Sequence, residues 1–144
     1  MNIRKIESRD IKDMVRLANL HASFDSEVSE ADFQPAWSYP RGCFIAELDE
    51  QIAGFIFAHP REIPSDVMNK WNSSKVAQIE LLVVEPSYRD KGVGGTLLER
   101  LLRELKDDGV DLVLLHCPAE SVEAKHLYDS FGFEVRAYAM KKPI

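Results

Sequence analysis

The stretch from Leu81 to Leu102, LLVVEPSYRDKGVGGTLLERLL, constrains this chain more than any other. It reads as a strand, a glycine-rich turn and a helix. The apolar run ends near Val84, and Pro86 stops the ladder because proline has no N–H to give. Beyond the turn, Val93, Leu97, Leu98, Leu101, Leu102 and Leu105 recur on one face at a helical period. Between strand and helix lie Arg89, Gly92, Gly94 and Gly95, so three of the chain's seven glycines fall within four residues. Glycine lets the backbone approach a ligand closely and accepts positive φ without steric cost. The first N–H groups of a helix are unpaired, and its dipole is positive at that end. Arg89 and Lys91 add formal positive charge. The physical product is a cradle for an anion, a pyrophosphate above all. A tight connection without a ligand is the competing reading of the glycines alone. The Walker phosphate loop is excluded because no GK[ST] follows. The dinucleotide fingerprint fits poorly because its third glycine would fall at Leu97.

The rest of the chain is read around that unit. At 144 residues, 1–144 is expected to be a single domain that holds a core without a disulfide or metal. No run approaches the length of a membrane helix, so no membrane partner is expected. Cys43 and Cys117 lie far apart with no metal spacing, and a reduced, cytoplasmic setting is the expectation. The net charge of −6 argues against non-specific nucleic-acid binding. A cationic partner is compatible with it.

In chain order, Asn2–Ile6 alternates as a strand, and Ser8 or Asp10 can cap a helix reaching His21. A short helix is expected over Ser29–Trp37, capped by Ser29. Here Asp25, Glu27, Glu30 and Asp32 interleave with Phe24, Phe33, Trp37 and Tyr39. This is either a solvated helix with aromatics on the core or a rim that attracts and frames an amine. Two strands, Gly42–Leu48 and Gln51–His59, flank an Asp49-Glu50 turn. A polar excursion, Arg61–Ser74, holds a helical turn at Ser65–Trp71. Lys75–Val84 is the fourth strand and Asp111–Cys117 the fifth. The unbroken apolar run Leu112–Leu115 suggests cover on both faces. Ser121–Phe131 is a helix ended by Gly132, and Phe133–Met140 gives a last strand or two. The order predicts an α/β (α+β) chain: a mixed, mostly antiparallel sheet, parallel near Gly94, with helices on both faces.

The segment Arg89-Asp90-Lys91-Gly92-Val93-Gly94 resembles the R-x-x-G-x-G motif of the GNAT N-acetyltransferase superfamily. Leu82, Val84 and Pro86 match its L-x-V-x-P lead-in. Ala124, Tyr128, Gly132 and Phe133 match a later A-x-x-x-Y-x-x-x-G-F motif. The two motifs span about the last half of the chain; the first half has no diagnostic motif. The resemblance implies acetyl-CoA as co-substrate, no metal, and splayed fourth and fifth strands that open a slot. Leu82, Val83 and Val84 would line it with their backbone, pairing with the amides of pantetheine. Arg89, Asp90, Lys91, Gly92, Val93, Gly94, Gly95 and Thr96 would hold the pyrophosphate, mainly through N–H groups from Gly92 to Thr96. The Thr96 hydroxyl would add a hydrogen bond. Ser121 stands where many members carry an asparagine that holds pantetheine. The resemblance also favours the amine-binding rim.

Acyl transfer from a thioester to an amine needs a base, an oxyanion donor and an acid for the leaving thiolate. Glu80 is the candidate base, acting directly or through water. Half-burial in an apolar strand would raise its pKa. A carboxylate in a salt bridge is the alternative, and His116 is the alternative base. His21, His59 and His126 read as surface or edge residues without metal spacing. Tyr128 is the candidate general acid, against a packed aromatic with a satisfied hydroxyl. Cys117 reads as packing. The expected function is N-acetyl transfer to a primary amine on a small molecule or protein, by a monomer or homodimer. A non-catalytic acyl-CoA-binding module of the same fold is the alternative.

Overall fold

A computed structural model describes residues 1–22 and 26–144. The elements are β1 (Asn2–Lys5), α1 (Ile11–His21), α2 (Pro35–Ser38), β2 (Cys43–Leu48), β3 (Gln51–Pro60), α3 (Ser65–Trp71), β4 (Val76–Val84), α4 (Val93–Asp107), β5 (Leu112–Leu115) and α5 (Val122–Ser130). The five strands form one sheet in sequence order. The first three pairings are antiparallel, and β4–β5 is parallel. This is the expected mixed, mostly antiparallel sheet with helices on both faces.

Each face of the sheet owns a core. On one, Met14, Leu17 and Ala18 of α1 join Phe33 and Ala36 against Cys43, Ile45, Phe55, Phe57, Leu81 and Val83. On the other, Val93, Leu97, Leu98, Leu101 and Leu105 of α4 cover Phe44, Ala46, Ile56, Ala58, Ala77 and Ile79, and Tyr128 of α5 completes the layer. Leu97, Leu98, Leu101 and Leu105 of α4 are buried and Leu102 of the same periodic set is half-buried; each buried leucine contributes roughly 1.5–3 kcal/mol of apolar burial. Before Phe33, Ser29 and Asp32 form a capping box, as Ser29 suggested.

One irregularity in β4 governs the site. Phe57 opposes Leu81, yet Ala58 opposes Ile79, so Glu80 is an extra residue, a β-bulge. Ala77 and Ile79 consequently face α4, whereas Leu81 and Val83 face α1. An unbroken strand would put all four on one face.

Three expectations need correction. The segment after Phe133 forms no strand. Its pattern alternates, but a strand exists only where an edge accepts it. Val135, Tyr138 and Met140 are exposed instead, and the Arg136 guanidinium stacks 4.9 Å from the Trp71 ring centre. For the same reason Leu112–Leu115 is only half-buried: β5 has β4 on one edge and no strand on the other. The amine-framing rim also changes character. Phe33 is fully buried in the core, and the Tyr39 hydroxyl donates to Asp108 at 2.6 Å. Phe24 and Asp25 lie outside the described residues.

Candidate active site

The parallel ladder between β4 and β5 begins at Val76–Leu112 and ends at Ile79–Leu115. β4 runs on to Val84, so its last five residues, 80–84, leave an edge unpaired on that side. The Glu85 N–H donates to Ala53 O on β3 at 2.8 Å. Backbone polar groups alternate sides along a strand, so those of Leu82 and Val84 point to the open edge. Val83 points its polar groups to β3 and buries its side chain against α1. This is an open strand edge of the kind an extended chain of amides can extend.

The edge leads into the glycine turn. Pro86–Tyr88 makes a single tight helical turn, and the chain then passes through positive φ at Asp90 (61°) and Gly92 (78°) before entering α4. The left-handed conformation is costless only for glycine. A Cβ on Gly94 would meet Leu127 Cδ2 at 3.3 Å and Val84 Cγ2 at 3.6 Å. Gly94 therefore lets the helix sit close to both the slot strand and α5. Arg89 and Lys91 are exposed beside the turn, the Lys91 ammonium 5.4 Å from the Tyr88 ring centre. Thr96 departs from expectation. Its N–H (3.0 Å) and its hydroxyl (2.7 Å) both donate to Gly92 O. The hydrogens available to an anion are then the N–H groups of Gly92, Val93, Gly94 and Gly95, which donate to no backbone carbonyl.

Glu80 lies one residue past the last β4–β5 pair, at the mouth of the slot. Its side chain is 39% exposed, not half-buried in an apolar strand, because the bulge turns it out of the pleat. It is hydrogen-bonded: Oε1 lies 2.8 Å from Nε2 of His59. The sequence reading missed His59. Its one visible signal was a histidine ending β3, and the partner depends on a bulge that apolar alternation does not reveal. His116 follows the end of β5 and is exposed.

Tyr128 is 8% exposed on α5, packed edge-to-face on Phe133 with ring centres 5.6 Å apart. Burial, with Cys117 nearby as a lesser cause, pushes its phenol up to about 12. Burial thus makes it a weaker acid than an exposed tyrosine. Cys117, two residues beyond β5, is half-buried, and its thiol is pushed up by burial. It stays a packed thiol, as expected. Ser121 occupies the N-cap position of α5, makes no side-chain capping bond and is half-buried; its N–H donates to Pro118 O at 3.0 Å. Among the described residues, no three His, Cys, Asp or Glu side chains are placed to hold a metal, and no helix is long and apolar enough to cross a membrane.

An open edge beside a parallel strand pair, feeding a glycine-rich helix start, defines a class. The chain belongs to the acetyltransferase (GNAT) family, whose model matches residues 11–133. Among curated proteins it is similar to mycothiol acetyltransferase of Thermobifida fusca, 33% identical over 105 residues, which are 71% of this chain and 31% of that protein. The chain thus spans about a third of the length of such relatives. Among solved structures it is similar to the aminoglycoside N-acetyltransferase AAC(6')-Iy in complex with CoA. The TM-score is 0.77 at 21% identity, over 99% of this chain and 93% of that one. It is equally similar to Ard1 from Thermoplasma volcanium, with TM-score 0.78 at 22% identity over 94% and 84% of the two chains. At these identities the structural likeness speaks for the fold.

Proposed function

We propose that this chain transfers an acetyl group from acetyl-CoA to a primary amine. The observation that carries the reading is the early end of the β4–β5 ladder, which leaves the polar groups of Leu82 and Val84 facing a slot that runs to Gly92. In this reading pantetheine lies along that edge as an added strand, with Ser121 across the slot. The pyrophosphate rests on the N–H groups of Gly92, Val93, Gly94 and Gly95, with Arg89 and Lys91 as counter-charges. Asp90 contributes the turn. The glycines fit this use, since a Cβ at Gly94 would crowd the strand and the helix that border the cradle.

The chemistry is direct attack. The acceptor arrives as an ammonium and loses two protons overall. One passes to Glu80 and on to solvent; the other balances the proton that Tyr128 gives to the departing sulfur. The new N–C bond forms as the C–S bond breaks, and a backbone N–H at the slot edge polarises the thioester carbonyl. Tyr128 enters the reaction as a phenol, as any tyrosine does at neutral pH; burial makes it the weaker acid, so in this reading its proton passes only as charge develops on the departing sulfur. The acceptor is an amine of a small molecule or a peptide. Relatives named for mycothiol and aminoglycosides indicate small acceptors as the first to try.

The test is thiol release from acetyl-CoA with a panel holding a polyamine, an aminoglycoside, an amino-sugar thiol and a lysine-rich peptide. Release that depends on one amine, with acetylation of that amine seen by mass, is the expected result. CoA binding without release across the panel would replace the enzyme with an acyl-CoA-binding module.

A further inference from the structure

A polar patch interrupts the apolar sheet face beside the mouth of the slot. Ala77 and Ile79 face α4, so Gln78 between them faces the opposite side. Ala58 also faces α4, so His59 shares the side of Gln78, its cross-strand partner. Arg61 follows β3, and its N–H continues the ladder to Val76 O at 2.9 Å. Two side-chain contacts cross between the strands here. Arg61 Nη1 donates to Gln78 Oε1 at 2.7 Å, and His59 lies 2.8 Å from Glu80.

Gln78 is 8% exposed, a buried amide in an apolar strand. A guanidinium only donates, so the Gln78 atom that faces it must be the oxygen. That bond fixes the carboxamide and turns its NH2 group away from Arg61. The NH2 group has no hydrogen-bond partner among the described residues, where no buried side-chain polar atom is left unpaired. It therefore reaches the surface with both hydrogens to give. Arg61 is exposed and makes no ion pair with any described carboxylate. Its charge is thus oriented by a neutral partner that leaves it uncompensated, with N–H groups to spare beyond the one given to Gln78.

We infer that Arg61 and Gln78 bind a carboxylate of the acceptor while its amine sits at Glu80, so the acceptor class is an amine that also carries a carboxylate. The inference rests on the acetyl-transfer reading above and narrows its acceptor. Every free polar hydrogen of the pair asks for an acceptor atom, and a carboxylate supplies two such oxygens. Glu80 follows Gln78 by two residues, about 7 Å along a strand, which separates an amine subsite from an anion subsite. The net charge of −6 draws cations at long range. At contact range the guanidinium repels a second ammonium, which sets an amino acid above a polyamine.

The test compares amines that differ by the carboxylate alone: γ-aminobutyrate with propylamine, and δ-aminovalerate with butylamine. In these pairs the carboxylate lies far enough from the nitrogen to leave its basicity nearly unchanged. Thiol release from acetyl-CoA is expected to favour the amino acid at least about tenfold in kcat/KM, mostly through KM. Arg61→Met keeps the stem without the charge, and Gln78→Glu supplies a carboxylate that occupies Arg61. Each is expected to bring the ratio near one, with circular dichroism confirming the fold. Equal kcat/KM within both pairs in the wild type, or a preference that survives Arg61→Met, would overturn the inference and leave acetyl transfer standing. Calorimetric titration of the same amines into the CoA-loaded protein reads the subsite without turnover. Tighter binding of the amino acids, lost in Arg61→Met, is expected there, and equal binding within each pair would overturn the subsite. Such selective binding without thiol release from any amine would keep the subsite and overturn acetyl transfer.

Discussion

The Tyr128 hydroxyl sits in a buried ring environment, so its chemistry and its packing respond to different substitutions. Tyr128→Phe removes one oxygen and keeps the edge-to-face contact with Phe133. kcat is expected to fall with CoA affinity retained, and the loss should shrink with a donor whose thiol is more acidic. Tyr128→Ala is expected to cost about 3–5 kcal/mol of stability. A Phe variant as fast as wild type with every donor would remove the general acid. The phenol also makes a pH claim. Its folded value, about 12, exceeds the ordinary 10.0. The stability it contributes is complete below about 10 and is lost as pH rises through about 12. The difference between wild type and Tyr128→Phe in alkaline unfolding reads it directly. Asp10 works at the other end of the scale. Burial alone would raise its carboxyl, but two bonds from Arg4 (2.7 and 2.8 Å) and the Glu7 N–H outweigh it and hold it below 3.8. That contribution is present above about pH 4 and is lost as pH falls through the lower folded value. Asp10→Asn is expected to cost about 3 kcal/mol at neutral pH and to flatten the acid limb of the unfolding midpoint. An unchanged acid limb would remove Asp10 from the account.

At the scale of elements, the β2–β3 hairpin turns through Asp49 (φ 55°) and Glu50 (φ 62°), both left-handed and neither glycine. Such a two-residue turn favours Asn-Gly or Asp-Gly. Glu50→Gly is expected to raise stability by about 1 kcal/mol, read as a higher denaturant midpoint at unchanged slope. A lower midpoint would mean that the Glu50 side chain contributes more than the strain costs. This hairpin, α4 and the capped turn at Ser29 were legible in the sequence because their signals are local: a period, a cap, a turn pair. The bulge at Glu80 was not. Residues 81–84 are apolar at every position, so inserting one residue leaves no trace in the pattern, yet it reverses which face Leu81 and Val83 serve. The pairing of His59 with Glu80 follows from that bulge and was hidden with it. The last strand failed for the opposite reason. Phe133–Met140 alternates well, but alternation names a face and not a partner. The Thr96 contact was not legible either, because a hydroxyl early in a helix can turn back to a carbonyl one turn earlier, and this one does.

For the whole molecule, two cores clamp one sheet, and the sheet opens where β5 ends before β4 does. The N-terminal half carries α1 and the hairpin, without which β4 would have no frame to diverge from. The open edge, the glycine turn and α5 converge through Gly94, whose missing side chain separates Val84 from Leu127. The central claim is that this convergence holds CoA. Calorimetric titration of CoA into the wild type and Gly94→Val tests it most directly, with circular dichroism confirming that both are folded. The account predicts one site per chain in the wild type and an affinity at least about tenfold weaker in Gly94→Val, a difference of about 1.4 kcal/mol. No binding by the wild type, or equal affinity in two folded proteins, would contradict it.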